Sequence, residues 1–478
     1  MFGLEKETTL KREIVETLDQ ESKFITTAEL QSKIGHGSTN KILQTCRELK
    51  EIFNLLYPDQ NSQIKIVINK HSGICLQRNT NDFHLFYIYL FKNDISYQII
   101  RSLIISEVVS VTDLQDNLGV SFSGLQRKVR AINDSISVFN LHISGTKNLY
   151  LRGEEKEIRI FFFIFLWGIH RQISNIDWIK QPDIYQNAAE RVGRYLDHPL
   201  SWIKNEQLAI WMYIFCLRIN YQTQVSFDNL EQKIVNLHQM PEKPDFLERW
   251  TQYDWQFLLL ILWHSGIFDF KFTLNEAEVV KFKKLNFINI WIELFERDYI
   301  KLSERQREYV KRKLLQQYVI SVFGNFTVTD ASQQDWLYYF DGYLDPAALK
   351  HQKEYYLFWK EFVKKAHQRF LPVTGLNFLL FQSILPFNYF LPKVKVFLLS
   401  DLNEILEDTI KQQLSYTFSH KYKINFVTNI KSADIVLSTV PSSDPKIKKL
   451  KQPTIFIRSR LFSNDIQSIE QALNKQLQ

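Results

Sequence analysis

The stretch Phe122–Asn133 carries Arg127, Lys128 and Arg130 and no acidic residue, with Ser121, Ser123 and Gln126 at its entrance. Clustered cations neutralise phosphates, and hydroxyls or an amide at a helix start meet phosphate oxygens or base edges. A second stretch, Ser38-Thr39-Asn40-Lys41 followed by Gln44, offers similar groups, but its later turns mix Arg47 and Lys50 with Glu48 and Glu51. The larger share of nucleic-acid affinity is therefore expected from the former. Lys70-His71 and Lys147-Asn148 fall in predicted turns, from which a cation reaches a neighbouring phosphate or the minor groove. Read without a ligand, the same positions are solvated helix faces and polar turns.

Other chemistry finds little footing. No HExxH, GxSxG or Walker pattern occurs, and no spaced His/Asp/Glu set suggests a metal. The expectation is a protein that is not an enzyme and needs no cofactor. Cys46, Cys75 and Cys216 form no CxxC pair, which fits a reducing cytoplasm.

The elements that must position the cations are repeated. Thr27-Ala28-Glu29-Leu30-Gln31-Ser32-Lys33-Ile34-Gly35 recurs as Val111-Thr112-Asp113-Leu114-Gln115-Asp116-Asn117-Leu118-Gly119. Each copy leads through a serine, Ser38 or Ser121, into a segment with apolar residues at i, i+4, i+7 and i+11. These are Ile42, Cys46, Leu49 and Phe53 in the first copy, and Leu125, Val129, Ile132 and Ile136 in the second. That spacing lines one face of an α-helix. A short helix, a glycine turn and a second helix make a helix-turn-helix.

Residues 8–78 read as one winged unit. Helices are predicted at Leu10–Leu18, Thr27–Ile34 (capped by Thr26 or Thr27) and Ser38–Phe53, with wing strands at Ile64–Ile68 and Ile74–Leu76. Residues 82–152 read as a second unit. Its helices are predicted near Ile95–Ser106, Thr112–Leu118 and Phe122–Phe139, and its wing strands at Leu141–Ile143 and Leu149–Leu151.

From Glu154 to about Leu385 the pattern is helical and aromatic-rich, fitting two bundle-like domains, 154–275 and 276–388, divided near Phe270–Glu278. Pro386 and Pro392 frame a linker. Beyond it, in 393–478, strands at Lys393–Leu399, Lys423–Val427, Asp434–Val440 and Thr454–Ile457 alternate with helix, as in a small parallel α/β domain. The fold class is thus multidomain and mainly α. At 478 residues several domains are required, and the net charge of +7 does not by itself prove nucleic-acid binding. The apolar run Ile160–Ile169 is half the length of a membrane span and is expected to be a buried helix.

This order of parts resembles the Mga/AtxA-like regulators of Gram-positive bacteria. The local matches are Leu149-Tyr150-Leu151-Arg152-Gly153-Glu154-Glu155-Lys156-Glu157-Ile158-Arg159-Ile160-Phe161, at the junction from wing to first regulation domain, and Ala433-Asp434-Ile435-Val436-Leu437-Ser438-Thr439, similar to the central strand of EIIB-like domains. The resemblance implies two winged helix-turn-helix domains on double-stranded DNA, two helical PTS regulation domains, an EIIB-like tail and a cytoplasmic homodimer. It also implies phosphorylation on histidine by PTS phosphocarrier proteins. His198 is the best candidate acceptor, since its flank is polar, Pro199 ends the helix and Arg194 could meet the added charge. His351 and His367 are expected on exposed, charged helices, whereas His170 and His264 adjoin apolar runs and read as part of the core or its edge.

One departure stands out. Where an enzymatic EIIB carries its phosphoryl-accepting cysteine, this chain reads Leu398-Leu399-Ser400-Asp401-Leu402-Asn403-Glu404, whose carboxylates would repel phosphate. The tail is therefore expected to dock or dimerise, and Glu154-Glu155 to be ordinary charge at a helix N-terminus. The rival reading is an RNA-binding antiterminator or a PTS-linked signalling scaffold. Two DNA-type helix-turn-helix units argue against RNA, whose A-form duplex hides its major groove.

Overall fold

The computed structural model describes residues 2–58, 63–265, 273–274, 282–325, 348–372, 374–385, 389–440, 443 and 447–476. They are mainly helical and fall into two compact units. One comprises Met1–Leu294, Ser303–Tyr343 and Phe362–Asn377; the other comprises Phe295–Leu302, Leu344–Glu361 and Phe378–Gln478.

The first unit opens with α1 (Lys6–Glu21), α2 (Thr27–Ile34), α3 (Thr39–Leu56) and an antiparallel ribbon of β1 (Ile64–Asn69) and β2 (Gly73–Arg78). Thr26, not Thr27, caps α2. Its hydroxyl accepts the Glu29 N–H at 3.1 Å, while the Glu29 carboxylate accepts the Thr26 N–H at 2.7 Å. This reciprocal pair satisfies two donors that a helix start leaves open. Ile42, Cys46, Leu49 and Phe53 are fully buried against Leu10, Ile14 and Leu18 of α1 and Ile64, Ile66 and Ile74 of the ribbon. Ile25 pairs with Ile74 as a one-residue third strand. Gly73 must therefore be glycine: its φ is +97°, and a Cβ there would lie 2.2 Å from the Ile25 carbonyl oxygen.

The plan repeats in α4 (His84–Lys92), α5 (Ile95–Ile105), β3 (Val108–Ser110), α6 (Val111–Leu118), α7 (Phe122–Ile136), β4 (His142–Ser144) and β5 (Asn148–Arg152). Ser110 and Ser121 cap α6 and α7 through bonds from Asp113 N–H and Gly124 N–H. Three features differ from expectation. The strand β3 joins the wing, giving the antiparallel order β3-β5-β4. α7 stops at Ile136 and passes into a 3-10 turn, Ser137–Phe139. The third is α4, which no periodicity announces, because His84-Leu85-Phe86-Tyr87-Ile88-Tyr89-Leu90-Phe91 is apolar on all sides. Its Phe86 and Leu90 enter the core of the first helix-turn-helix, and Phe86 N–H donates to the Tyr57 hydroxyl at 3.1 Å.

Helical structure follows in α8 (Glu155–His170), α9 (Pro182–Tyr195), α10 (Trp202–Asn220) and α11 (Asn229–Asn236). A two-residue ribbon, β6 (His238–Gln239) with β7 (Thr273–Leu274), encloses α12 (Gln252–Ser265) in sequence. Then come α13 (Phe287–Asp298), α14 (Glu304–Phe323), α15 (Ala348–Ala366) and α16 (Thr374–Ile384). Apart from β7, the expected boundary near Phe270–Glu278 lies outside the described residues. The run Ile160–Ile169 is indeed a buried helix, and no helix among the described residues is long and apolar enough to cross a membrane.

Charge is built into the start of α8. Arg159 is fully buried and donates to Asp254 of α12 at 2.8 Å and to Glu155 at 2.7 Å, with its guanidinium 4.3 Å from the Phe215 ring centre. Arg218 of α10 meets Glu155 at 2.8 Å, and Lys156 meets Glu231 of α11 at 2.8 Å. Glu154 forms a capping box with Glu157. The expected N-terminal charge is there, but Glu155 also ties α8 to α10 through Arg218.

The tail is a four-stranded parallel sheet as expected. β8 (Lys393–Leu399), β9 (Lys423–Phe426), β10 (Ile435–Ser438) and β11 (Thr454–Phe456) stand in the order β11-β10-β8-β9, with α17 (Glu404–Phe418) and α18 (Ser463–Gln476). Val394, Val396, Ile435 and Leu437 bury against Ile410, Leu414 and Leu473. Before the sheet, Tyr389 and Phe390 pack edge-on against Tyr299, so this part of the linker is anchored; 386–388 lie outside the described residues.

Candidate nucleic-acid interface

α7 has three faces, set by the 3.6-residue turn. Leu125, Val129, Ile132 and Ile136 are buried. Ser123, Arg127, Arg130 and Asp134 form an exposed stripe, with Ser121 exposed at the N-cap and Gln126 half-buried beside it. Lys128, Ala131 and Ser135 form the third face, against which residues 2–5 lie. Lys128 therefore differs from its two neighbours, being ion-paired with Glu5 rather than turned to solvent with Arg127 and Arg130.

The second wing places another cation. Lys147 is exposed, and its carbonyl accepts the Val111 N–H at 2.9 Å, fixing the turn to the start of α6. Gly145 permits the turn: φ is +117°, and a Cβ would lie 1.8 Å from the Asn148 carbonyl oxygen. Arg152 stacks over Tyr150 at the outer end of β5.

The first helix-turn-helix is more neutral in charge. Ser38, Thr39 and Asn40 are exposed at the start of α3, and Lys41 is half-buried. Gln44 is exposed but donates to Glu48 at 3.2 Å, and Lys11 meets Glu7 at 2.7 Å and Glu48 at 3.3 Å. Lys70 is exposed at the wing tip, where the Asn69 side chain accepts the His71 and Ser72 N–H groups and shapes the turn.

The histidines divide by burial. His198 is half-buried after α9, its N–H bonded to the Gly193 carbonyl at 2.9 Å. His367 is exposed but lies just past the end of α15 with φ +46°, not on the helix as expected. His351 is on α15, with its side chain outside the described residues. His170 is core, as expected. Its Nδ1–H donates to the Asn175 carbonyl at 3.1 Å, so Nε2 accepts the Tyr97 hydroxyl at 2.9 Å, and burial pushes its pKa down to about 3. His264 donates to the Gln316 carbonyl at 2.8 Å, and burial lowers its pKa to about 4.

Sequence reasoning did not find the joint between the second helix-turn-helix and α8. There Tyr97 meets His170, His84 meets the His170 carbonyl at 3.0 Å, and Lys92 meets Asp177 at 3.2 Å. Neither period nor motif marks such a joint, since its partners lie 73 to 86 residues apart.

Residues 79–166 match the family model of the Mga helix-turn-helix domain. The matched segment takes in α4 to α7, the second wing and most of α8, so the face bearing Arg127 and Arg130, with no acid before Asp134, lies inside it. A helix-turn-helix domain of Mga type is thus present, on the second of the two repeats. No curated protein matches the chain.

Proposed function

We propose that this protein is a DNA-binding transcription regulator of Mga-like type that reads duplex DNA chiefly with α7. The observation that carries this reading is the exposed pair Arg127 and Arg130, on a helix with no acid before Asp134, inside the matched domain. Ser121 and Ser123 stand at the same end, and Lys147 on the wing supplies a further phosphate contact. α3 contributes less, through Ser38, Thr39, Asn40, Lys41 and Gln44, with Lys70 on its wing. Titration with mixed-sequence duplex DNA, competed by duplex RNA and by single strands, tests the assignment. Duplex DNA should compete best, and preference for RNA would favour the antiterminator reading.

Control by PTS-dependent histidine phosphorylation and by dimerisation belongs to the same proposal, resting on the resemblance of the helical part to PTS regulation domains and of the tail to EIIB. His198 is the favoured acceptor. Gly193, Arg194 and Pro199, which flank it, border a groove of about 790 Å³ with the exposed Trp202 on its rim. His351 and His367 are the further candidates. Incubation with phosphocarrier proteins and phosphoenolpyruvate should yield an acid-labile phosphohistidine by mass spectrometry, reduced in His198→Ala. No transfer to any histidine would remove this branch and leave DNA binding standing. In the tail, the Asp401 carboxylate accepts the Thr439 hydroxyl at 2.7 Å and Asn403 caps α17. Those groups serve the tail's own fold, which suits docking or pairing of two chains better than phosphoryl transfer. Two-fold pairing is the commonest assembly and would double the DNA contacts. Removing 393–478 should shift the chain toward monomer in light scattering.

A further inference from the structure

Residues 2–8 join parts of the molecule that the helix-turn-helix plan leaves separate. Gly3, at φ +68°, lies so close to α7 that a Cβ would sit 2.6 Å from the Ile132 nitrogen and 2.8 Å from the Ala131 oxygen. Its N–H donates to the Ser135 hydroxyl at 2.9 Å, and its carbonyl accepts the Ser96 hydroxyl at 2.6 Å. Phe2 is buried edge-on against Phe161 and Phe165 of α8. Glu5 pairs with Lys128. One oxygen of the fully buried Asp94 accepts both the Glu5 N–H, at 2.8 Å, and the Thr8 hydroxyl, at 2.7 Å, while the other caps α5 through Ser96 N–H at 2.8 Å. From Lys6 onward the same segment is α1, whose Leu10, Ile14 and Leu18 hold α3 in the first core.

We infer that Gly3, Glu5, Asp94 and Lys128 are positioning residues that fix the spacing of α3 and α7, so that two DNA segments are read at one set separation. The inference rests on the DNA-reading assignment above for its purpose but not for its geometry. A chain passing from the core of one reader onto the third face of the other leaves little freedom between them, and a fixed spacing binds without a further ordering cost. Lys128 serves the spacing and leaves phosphate contact to Arg127 and Arg130.

Spin labels on a ketone-bearing residue placed at the exposed positions 50 and 134 leave the three cysteines intact and report the α3–α7 distance in the full chain without DNA. The parent should give one narrow distance distribution. Gly3→Val, which drives a side chain into the α7 backbone, should lose that single peak while the far-UV circular dichroism is kept. Thr8→Val with Glu5→Gln, which removes the hydroxyl bond to Asp94 and the charge of the Glu5–Lys128 pair with little change of volume, should broaden it in the same direction and carries the test if Gly3→Val unfolds. A broad parent distribution, or one equally narrow in the folded variants, overturns the proposal. Failure of the DNA-reading assignment would register separately, as an unchanged duplex titration of Arg127→Ala with Arg130→Ala.

Discussion

α7 and α8 both carry cations early in the helix: Arg127, Lys128 and Arg130 in one, Lys156 and Arg159 in the other. Their fates are opposite. On α7, Arg127 and Arg130 stand in solvent on a face with no acid before Asp134. On α8, Arg159 is fully buried between Glu155 and Asp254, and Lys156 is buried against Glu231. A cation answered by a buried carboxylate holds the fold, and one left in solvent on an exposed helix face is available to a polyanion. Lys128 shows the distinction within a single helix, since its partner Glu5 takes it out of the exposed stripe. α3 is intermediate, with its exposed Arg47 and Lys50 alternating with Glu48 and Glu51.

Removing charge from each region should separate the two roles. The largest loss of stability is expected for Arg159→Ala, which leaves the Asp254 carboxylate buried without its cation and should cost about 3–5 kcal/mol in urea unfolding. A loss below about 1 kcal/mol, the range of a surface pair, would mean that α8 and α7 do not differ as described. Arg127→Ala with Arg130→Ala should leave the unfolding midpoint nearly unchanged. Duplex affinity should fall strongly, and the salt slope should shrink by about one for each phosphate no longer neutralised.

A third effect, negligible at neutral pH, is set by acid at the joint between the second helix-turn-helix and α8. An unfolded chain protonates His170 below its ordinary pKa of 6.5, whereas the folded chain resists until about 3. Stability should therefore fall as pH drops through that window, by up to about 1.4 kcal/mol per pH unit for this group. His170→Gln should shallow the acid limb of a melting-temperature profile, and a limb of unchanged slope would show that other groups, such as His264, carry it. The smallest effect is expected for Arg47→Ala with Lys50→Ala on α3. Their removal should lower duplex affinity and salt slope less than the α7 pair does, because neighbouring glutamates already offset part of their field. An equal or greater loss would reverse the ranking proposed for α7 and α3.

Much of the helix-turn-helix pair was legible in the sequence. α2 was placed to the residue and α3 and α7 to within a few residues, with Thr26 one of the two caps offered for α2 and Ser38 and Ser121 leading into α3 and α7; Ser110, the cap of α6, was not picked out. The parallel tail sheet was legible because strand and helix periods alternate there. α4 was not, since a helix apolar on all sides has no periodic signature. β3 and the Ile25 bridge were missed because a strand of one to three residues is too short to show alternation; the rest of the sheet defines it.

The sequence by itself determined the local elements, because stripes at 3.6 or 2 residues, caps and turn glycines act over about ten residues of chain. Only the tertiary structure decided which charges stay in water. Arg159 and Asp254 are 95 residues apart, and Glu5 and Lys128 are 123 apart. No spacing rule links such pairs. Packing brings the partners together, and burial then makes an unanswered charge too costly to keep there. Arg127 and Arg130 remain in solvent because their face of α7 is the one that neither the core nor residues 2–5 cover.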